Sequence, residues 1–222
     1  NSGTTSAVVV NGNVTLDLSV SKDAGVAADN TGNYNVIANT NVTLTDGATM
    51  ILGQANGCGG IAFYNGNNAG ISATDSAIVL DHAGGIAGKM TLKNSTVTAS
   101  NVKSGLAFIT FEDGSAVSEG SVITIEGCDD GTDTNINLKG TTSITDSTIN
   151  AGGAGVRMEN AAAITATGTT INAGEIFLKN DATTGTLSGA TINADIGADG
   201  TGATMNLTGV TLTGNHSVTN AM

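Results

Sequence analysis

The chain has 222 residues, no proline, two cysteines and a formal net charge of −12, from 7 basic and 19 acidic residues. Such an acidic chain lacks the basic surface that nucleic acids and anionic membranes require, so both are excluded as partners. No run of about eighteen apolar residues occurs, and no segment is therefore expected to insert into a bilayer.

The missing proline is informative in itself, because ordinary usage of about 5% would give roughly 11 prolines in a chain of this length. A central strand of a sheet cannot spare the backbone donor that proline lacks. With 32 glycines and only 3% aromatic residues, the composition is typical of short strands, tight turns and a thin interior. It also resembles that of secreted or surface-displayed bacterial proteins, so an extracellular or cell-surface location is expected.

The first twelve residues differ from the rest. They contain the apolar run Ala7, Val8, Val9 and Val10 ahead of the first repeat. We expect 1–12 to form an N-terminal segment that caps the open end of the fold or exchanges with another molecule. Residues 13–222 are predicted to form one repeat domain.

Apolar anchor residues recur through this domain at Val14, Val42, Ile71, Val97, Ile123, Ile149, Ile171, Ile192 and Leu212. The steps between successive anchors are longest near the start of the domain and shortest at its end. The sequence therefore predicts about nine coils that shorten from about 28 to about 20 residues, within the range of periods known for solenoids. The extra residues of the longer coils are expected in turns and loops.

The repeat is clearest in the last third, where STINA (147–151), TTINA (169–173) and ATINA (190–194) return almost unchanged before VTLTG (210–214). A period of this length marks a solenoid or array. Because each unit has only short strands, stability requires each strand to pair in parallel with its copy in the next coil. The predicted fold is an all-β, single-domain, right-handed parallel β-helix, in keeping with the crossover rule.

In such a helix equivalent side chains stack on one another. We expect Ile149, Ile171, Ile192 and Leu212 to form an inward core stack. Asn150, Asn172 and Asn193 are expected to form a side-chain ladder at a bend, because asparagine tolerates turn conformations and its amide can bond to the copies above and below.

The repeats resemble those of right-handed parallel β-helix proteins, the pectin-lyase-like superfold, and most closely the passengers of bacterial autotransporter adhesins. The resemblance covers nearly the whole chain. It implies an architecture and no particular activity, since this superfold hosts unrelated functions.

An enzyme would need acid and base groups on one face. Asp129 and Asp130 are similar to the paired aspartates of polygalacturonase-type hydrolases, and such a pair can act as acid and base in glycoside hydrolysis. The other family motifs are missing, and the chain has one arginine, Arg157. We therefore expect no enzyme. The alternative is a carbohydrate-binding or carbohydrate-cleaving module that uses this pair.

The same acidic loop offers Asp129, Asp130, Asp133 and Asn135 as oxygen ligands for calcium. Their spacing matches no known calcium loop, so an ordinary solvated loop is the preferred interpretation and no cofactor is expected. Cys58 and Cys128 are placed three coils apart, about 14 Å at the coil rise of a sheet. That exceeds the roughly 7 Å that a disulfide spans, so the two thiols are expected to stay separate.

The function expected from these observations is structural: a stalk, fibre subunit or adhesin segment of a surface protein. Its expected partners are further copies of itself, joined end to end through Ala7–Val10, or a receptor on a host or cell surface.

Overall fold

The computed structural model describes residues 6–17, 37–38, 40–53, 63–64, 70–81, 86–100, 109–126, 136–152, 155–179, 183–198, 202–213 and 218–220. Within these ranges the chain forms strands and no helix. In chain order the strands are β1 (Ser6–Asn11), β2 (Thr15–Asp17), β3 (Ile37–Ala38), β4 (Thr40–Thr45), β5 (Thr49–Gly53), β6 (Phe63–Tyr64), β7 (Gly70–Thr74), β8 (Ala77–Asp81), β9 (Ile86–Lys93), β10 (Thr96–Ser100), β11 (Ile109–Phe111), β12 (Ala116–Ser118), β13 (Val122–Glu126), β14 (Ile136–Thr145), β15 (Thr148–Gly152), β16 (Val156–Thr167), β17 (Thr170–Leu178), β18 (Thr184–Ser188), β19 (Thr191–Ala198), β20 (Thr204–Thr208), β21 (Thr211–Leu212) and β22 (Val218–Asn220).

All the described pairings between strands are parallel, and they build three faces that follow one another along the chain. Face A is the ladder β1, β4, β7, β9, β12, β14, β16, β18, β20. Face B is the ladder β2, β5, β8, β10, β13, β15, β17, β19, β21. Face C is the ladder β3, β6, β9, β11, β14, β16, β17, β19, β22. The longest strands turn from one face to the next and therefore belong to two ladders.

The fold is thus a right-handed parallel β-solenoid, and the predicted fold class is confirmed. Side chains alternate in and out along each strand, as a strand with one buried face requires. In β10, for example, Val97 and Ala99 are fully buried while Thr96 is exposed. The inward residues of the three faces meet in one continuous apolar core from Val10 to Ala194.

Face A turns into face B at a corner that contains a left-handed backbone position in coil after coil. Non-glycine residues hold positive φ there at Asp46, Asp75, Asn94, Glu119 and Asp146, with φ between 45° and 59°. Later coils place glycine at the same point, as at Gly168 with φ 61°. Glycine, asparagine and aspartate are the residues that adopt this conformation most readily. We call this turn the A–B corner.

A buried hydroxyl follows the left-handed position in five described coils, at Ser76, Ser95, Ser121, Ser147 and Thr169. Each hydroxyl donates across the turn to a carbonyl two or three residues earlier, at 2.7–3.1 Å. In this corner hydroxyl stack each serine or threonine side chain has a hydrogen-bond partner inside its own turn. That explains why these polar residues occur inside an otherwise apolar core.

The predicted register is right in the later coils and wrong in the earlier ones. Val97, Ile123, Ile149, Ile171, Ile192 and Leu212 do stack on face B. The residues before them in this stack are Leu16, Met50 and Ile78, and not Val14, Val42 and Ile71. Val42 and Ile71 stack on each other, but on face A, where Ile71 is followed by Met90.

This register corrects the predicted smooth shortening of the coils. On face B the step from Leu16 to Met50 is the longest, and the step from Ile78 to Val97 is the shortest. The next step, from Val97 to Ile123, is long again. Only from Ile123 onward do the coils shorten steadily toward the end of the ladder.

Candidate functional site

The predicted asparagine ladder lies on the outer side of face B. Asn150, Asn172 and Asn193 are in register on β15, β17 and β19. The Asn172 side-chain amide donates to Asn150 Oδ1 at 2.8 Å, and Asn150 donates in turn to Thr124 Oγ1 at 3.3 Å. The predicted bend is wrong, because all three residues sit inside strands and none has a positive φ. The strand alternation alone turns them outward, between inward neighbours such as Ile149 and Ala151.

The four residues predicted for the core stack lie in one column of face B, directly beside this ladder. Ile149, Ile171 and Ile192 are at most 1% exposed. Leu212 continues the column above Ile192 but is 42% exposed, because β21 lies in the last described coil of this face. The residues of this column are therefore covered by a neighbouring coil on both sides only up to Ile192.

The acidic residues proposed for catalysis or calcium, Asp129, Asp130, Asp133 and Asn135, lie outside the described residues. So do Cys58 and Cys128. Among the residues that are described, no group of three or more His, Cys, Asp and Glu side chains could hold a metal ion.

The predicted assembly segment Ala7–Val10 forms most of β1, which pairs in register with β4 from Ser6 to Asn11. It is therefore the outermost described strand of face A. Val10 turns inward and is 8% exposed, whereas Val9 faces out and is 69% exposed. The alternation is the same as in the strands above it, although the sequence of this strand is apolar on both sides.

Face C carries a polar strip on its outer side that the sequence did not single out. Asn137, Arg157 and Phe177 occupy equivalent positions on β14, β16 and β17. Asn137 is only 7% exposed and donates to Glu159 Oε1 at 2.6 Å. Asn137 Oδ1 and Arg157 Nε are buried without a hydrogen-bond partner. An acceptor and a donor thus stand side by side on adjacent strands, next to a half-buried aromatic ring.

Beside this strip runs a column of alternating charge, in which each member follows an inward residue of face C. Its members are Lys89, Glu112, Lys139, Glu159 and Lys179. Lys139 Nζ lies 3.6 Å from Glu112 Oε1 and 3.8 Å from Glu159 Oε1. Opposite charges on adjacent strands favour this register, and a like-charge arrangement would oppose it. The column is thus a structural device that largely neutralises itself.

A shallow depression of about 300 Å³ lies at the A–B corner, lined by Gly47, Ala48, Asp75, Ser76, Ala77 and Asn94. The carboxylate of Asp75 already accepts a hydrogen bond from the Asn94 amide at 2.7 Å. This depression is open to solvent and presents one carboxylate that already has a partner, so it offers little for a charged ligand to bind.

The most regular surface is the outer side of face A in its last four strands, which we call the threonine array. Its twelve positions are Thr141, Ser143, Thr145, Ala163, Thr165, Thr167, Thr184, Thr186, Ser188, Thr204, Asn206 and Thr208. None is charged, although the chain carries a net charge of −12. The T-x-T alternation was visible in the sequence, but only the register shows that the four segments lie side by side.

The strands under the array pair without interruption. Residues 141–145 face 163–167, which face 184–188, which face 204–208, with no shift of register inside these ranges. Face B differs, because irregularities interrupt its pairing after Asn150 and after Asn172. Of these two surfaces, the array has the longer stretch of uninterrupted pairing.

Comparison of the chain with protein-family models, with curated proteins and with solved structures gives no match. Over the residues that the structure describes, no helix is long and apolar enough to cross a membrane. The functional argument therefore starts from the fold and the surfaces of this molecule.

Proposed function

We propose that this chain is a structural β-solenoid of an extracellular or cell-surface protein, serving as a stalk, fibre subunit or adhesin segment. The observation that carries the proposal is the unbroken apolar core beneath three parallel ladders. Such a core makes each coil a rigid support for its neighbours, and the outward side chains become a repeated display surface. The resemblance of the repeats to autotransporter passengers supports the same role.

The chemistry of the exterior fits display. Short uncharged side chains cover the threonine array and the asparagine ladder, while the long charged side chain of Lys139 forms ion pairs with Glu112 and Glu159. A secreted bacterial protein with this surface would meet a receptor on a host or another cell, or further copies of itself.

Two measurements test the structural role. Small-angle scattering of the purified chain should give the dimensions of an elongated, folded particle, and limited proteolysis should leave the coils from Ile109 to Ile192 intact. A compact sphere, or rapid cleavage within face B, would remove the basis of the proposal. Labelling intact source cells with a membrane-impermeant amine reagent tests the location, because the lysines of a surface protein are labelled there and those of an internal protein are not.

End-to-end association through Ala7–Val10 is a further part of this proposal. Among the residues that the structure describes, the exposed large apolar side chains lie in the outermost coils: Val8, Val9, Val14, Leu207 and Leu212. An unpaired strand edge templates pairing with another chain. A contact between opposite ends does not close on itself and would generate a filament. Deleting residues 1–12 should abolish concentration-dependent sedimentation of large species, and filaments that survive the deletion would exclude this segment as the joint.

A carbohydrate-binding module is the second candidate, favoured by the strip of Asn137, Arg157 and Phe177. An arginine, an amide and an aromatic ring on adjacent strands are groups that recognise sugars. Screening polysaccharides for binding and cleavage tests it, with Arg157→Ala for the strip and Asp129→Asn with Asp130→Asn for the predicted acid and base. Binding that Arg157→Ala abolishes would support this candidate, and cleavage lost in the aspartate variants would make the chain an enzyme.

A further inference from the structure

The threonine array has geometric properties that a merely soluble surface does not need. Neighbouring strands of a sheet lie about 4.8 Å apart, and alternate residues along a strand are about 6.6 Å apart. The array therefore repeats in two directions across the sheet. Threonine is stiff at χ1, which limits the positions that each hydroxyl and methyl group can take.

The hydroxyls of the array are also available for a ligand. Thr204 donates to the Gly202 carbonyl at a long 3.4 Å. No other hydroxyl of the array forms a hydrogen bond with a residue that the structure describes. At the A–B corner, by contrast, the buried hydroxyls of Ser95 and Ser121 are used internally. The same residue types thus serve the fold at the corner and face solvent on the array.

The array is too small to serve by itself as an interface with a second copy of the chain. Each position covers about 32 Å² at the strand spacings given above, so the twelve positions cover about 380 Å². A stable protein interface needs about 800 Å² on each partner. A protein dimer that uses this surface alone would be too small to persist.

The chemistry of the array also excludes several classes of ligand. Nucleic acid would need cations, and none of the twelve positions supplies one. A single sugar chain is usually bound by aromatic rings that pack against it, and the twelve positions also lack aromatic residues. What remains is a partner that is itself periodic and uncharged, that is contacted by hydroxyl and methyl groups together, and that binds through many weak, evenly spaced contacts.

We propose that the threonine array binds the surface of crystalline water. Ice presents a rigid lattice of hydrogen-bonding oxygens with repeats of the same order as those of the array. Each threonine hydroxyl can both donate to and accept from water, and each methyl group disfavours a disordered hydration layer. The preorganised backbone means that little entropy is lost when the surface meets the lattice. This proposal is independent of the structural role, since the dimensions of the solenoid are measured without ice.

Ice-affinity partitioning tests the proposal directly. A dilute solution of the full chain, mixed with an inert globular protein of similar charge, is frozen slowly onto a cold surface, and both proteins are measured in the ice and the liquid. The chain should be enriched in the ice while the inert protein stays in the liquid. The growing crystals should also show facets, and the freezing point should fall below the melting point.

Two matched variants locate the surface. Thr165→Lys places a long charged side chain at an exposed position of the array, and Thr191→Lys makes the same change at an exposed position of face B. Thr165→Lys should lose the enrichment and Thr191→Lys should keep it, with both variants shown to be folded by circular dichroism. Distribution of the unmodified chain like the inert protein, or equal behaviour of the two variants, overturns the proposal.

A parallel sedimentation assay with crystalline cellulose and chitin provides the competing outcome. Binding to either solid, lost in Thr165→Lys and without enrichment in ice, would assign the array to a crystalline polysaccharide and overturn the assignment to ice.

Discussion

The backbone N–H of Ser95 donates to the hydroxyl of Ser121 at 3.1 Å, one coil further along the A–B corner. The Ser121 hydroxyl in turn donates to the Ser118 carbonyl at 2.7 Å. The same relation joins Ser76 N–H to Ser95 Oγ at 3.2 Å. The Ser121 hydroxyl therefore connects two coils and closes its own turn directly, without a bridging water.

The first prediction follows from this relation. Ser121→Ala should lower the free energy of unfolding by about 1–3 kcal/mol, because it leaves the buried Ser95 N–H without its acceptor. Ser72→Ala, at an exposed position of β7, is the matched control and should change stability little. Urea unfolding of both variants makes the comparison. Equal losses in the two variants would show that the corner bonds contribute nothing beyond the general effect of removing a hydroxyl.

Ile171 tests the core stack. It is 1% exposed between Ile149 and Ile192. Ile171→Ala should cost about 2–5 kcal/mol through lost burial and a cavity. Ile171→Asp should cost more, since it also buries an unpaired charge. Thermal or urea unfolding should rank the two variants in that order, and an aspartate variant as stable as wild type would contradict the inward assignment.

The asparagine ladder should contribute less. Asn172→Ala removes the 2.8 Å bond to Asn150 and should cost about 1 kcal/mol, because the half-buried site is partly reached by water. Asn193→Ala is the control in the same column, at a position that is exposed. Urea unfolding should give a smaller loss for Asn193→Ala than for Asn172→Ala, and both losses should be below that of Ile171→Asp. The reverse ranking would show that the ladder, and not the apolar stack, holds these coils together.

Glu119 tests the backbone strain at the corner. It has φ 54°, a region that glutamate adopts less readily than asparagine. Glu119→Asn should therefore raise stability, by up to about 1 kcal/mol. The change also removes the ion pair with Lys93 at 3.1 Å, an exposed contact expected to be worth little. Glu119→Gln removes that ion pair and keeps the strain, so chemical unfolding should place it below Glu119→Asn.

The alternating charges of face C give a salt-dependent prediction. Lys139→Glu would set three carboxylates in a row with Glu112 and Glu159, which should lower stability by about 1 kcal/mol at low salt. Raising the ionic strength should reduce the difference from wild type, because salt screens the repulsion. Lys139→Gln is the neutral control, and its stability should depend less on salt. A Lys139→Glu defect that does not respond to salt would point to packing instead of charge.

The later coils could be predicted from sequence because Ile149, Ile171 and Ile192 recur within nearly constant local phrases. The earlier coils could not, and the tetrapeptide Asn-Val-Thr-Leu shows why. At 41–44 it lies within β4 on face A, whereas at 13–16 it spans the turn into β2 on face B. Faces A and B demand the same alternation, so the local pattern cannot decide between them.

The functional surfaces were harder still to predict from sequence. The alternating charges and the threonine array depend on which residues of different coils become neighbours. A prediction that assigns a segment to the wrong face places these residues apart. Thr165 and Thr186 are separated by a full coil in the chain and are adjacent in space. Their relation follows from the register alone, and nothing in either short segment by itself marks it.

The A–B corner also constrains where the chain can take up extra length. Each such corner begins after the last inward apolar residue of face A and ends at the first inward apolar residue of face B. In two different coils these residues are separated by the same number of positions along the chain. Leu92 and Val97 enclose one such corner, and Ile144 and Ile149 enclose another. The corner between Val117 and Ile123 is one residue longer. The A–B corner thus varies little in length.

The passage from face B to face C varies instead. It runs from Ile125 to Ile136 in one coil and only from Ala194 to Ile196 in another. The passage from face C to face A varies too, because the pairing of β14 with β16 shifts between Lys139 and Thr141. Extra residues are therefore absorbed at the two corners that adjoin face C. Duplicating one late coil would lengthen the molecule without disturbing its neighbours, so recombination between repeats can adjust reach independently of surface chemistry.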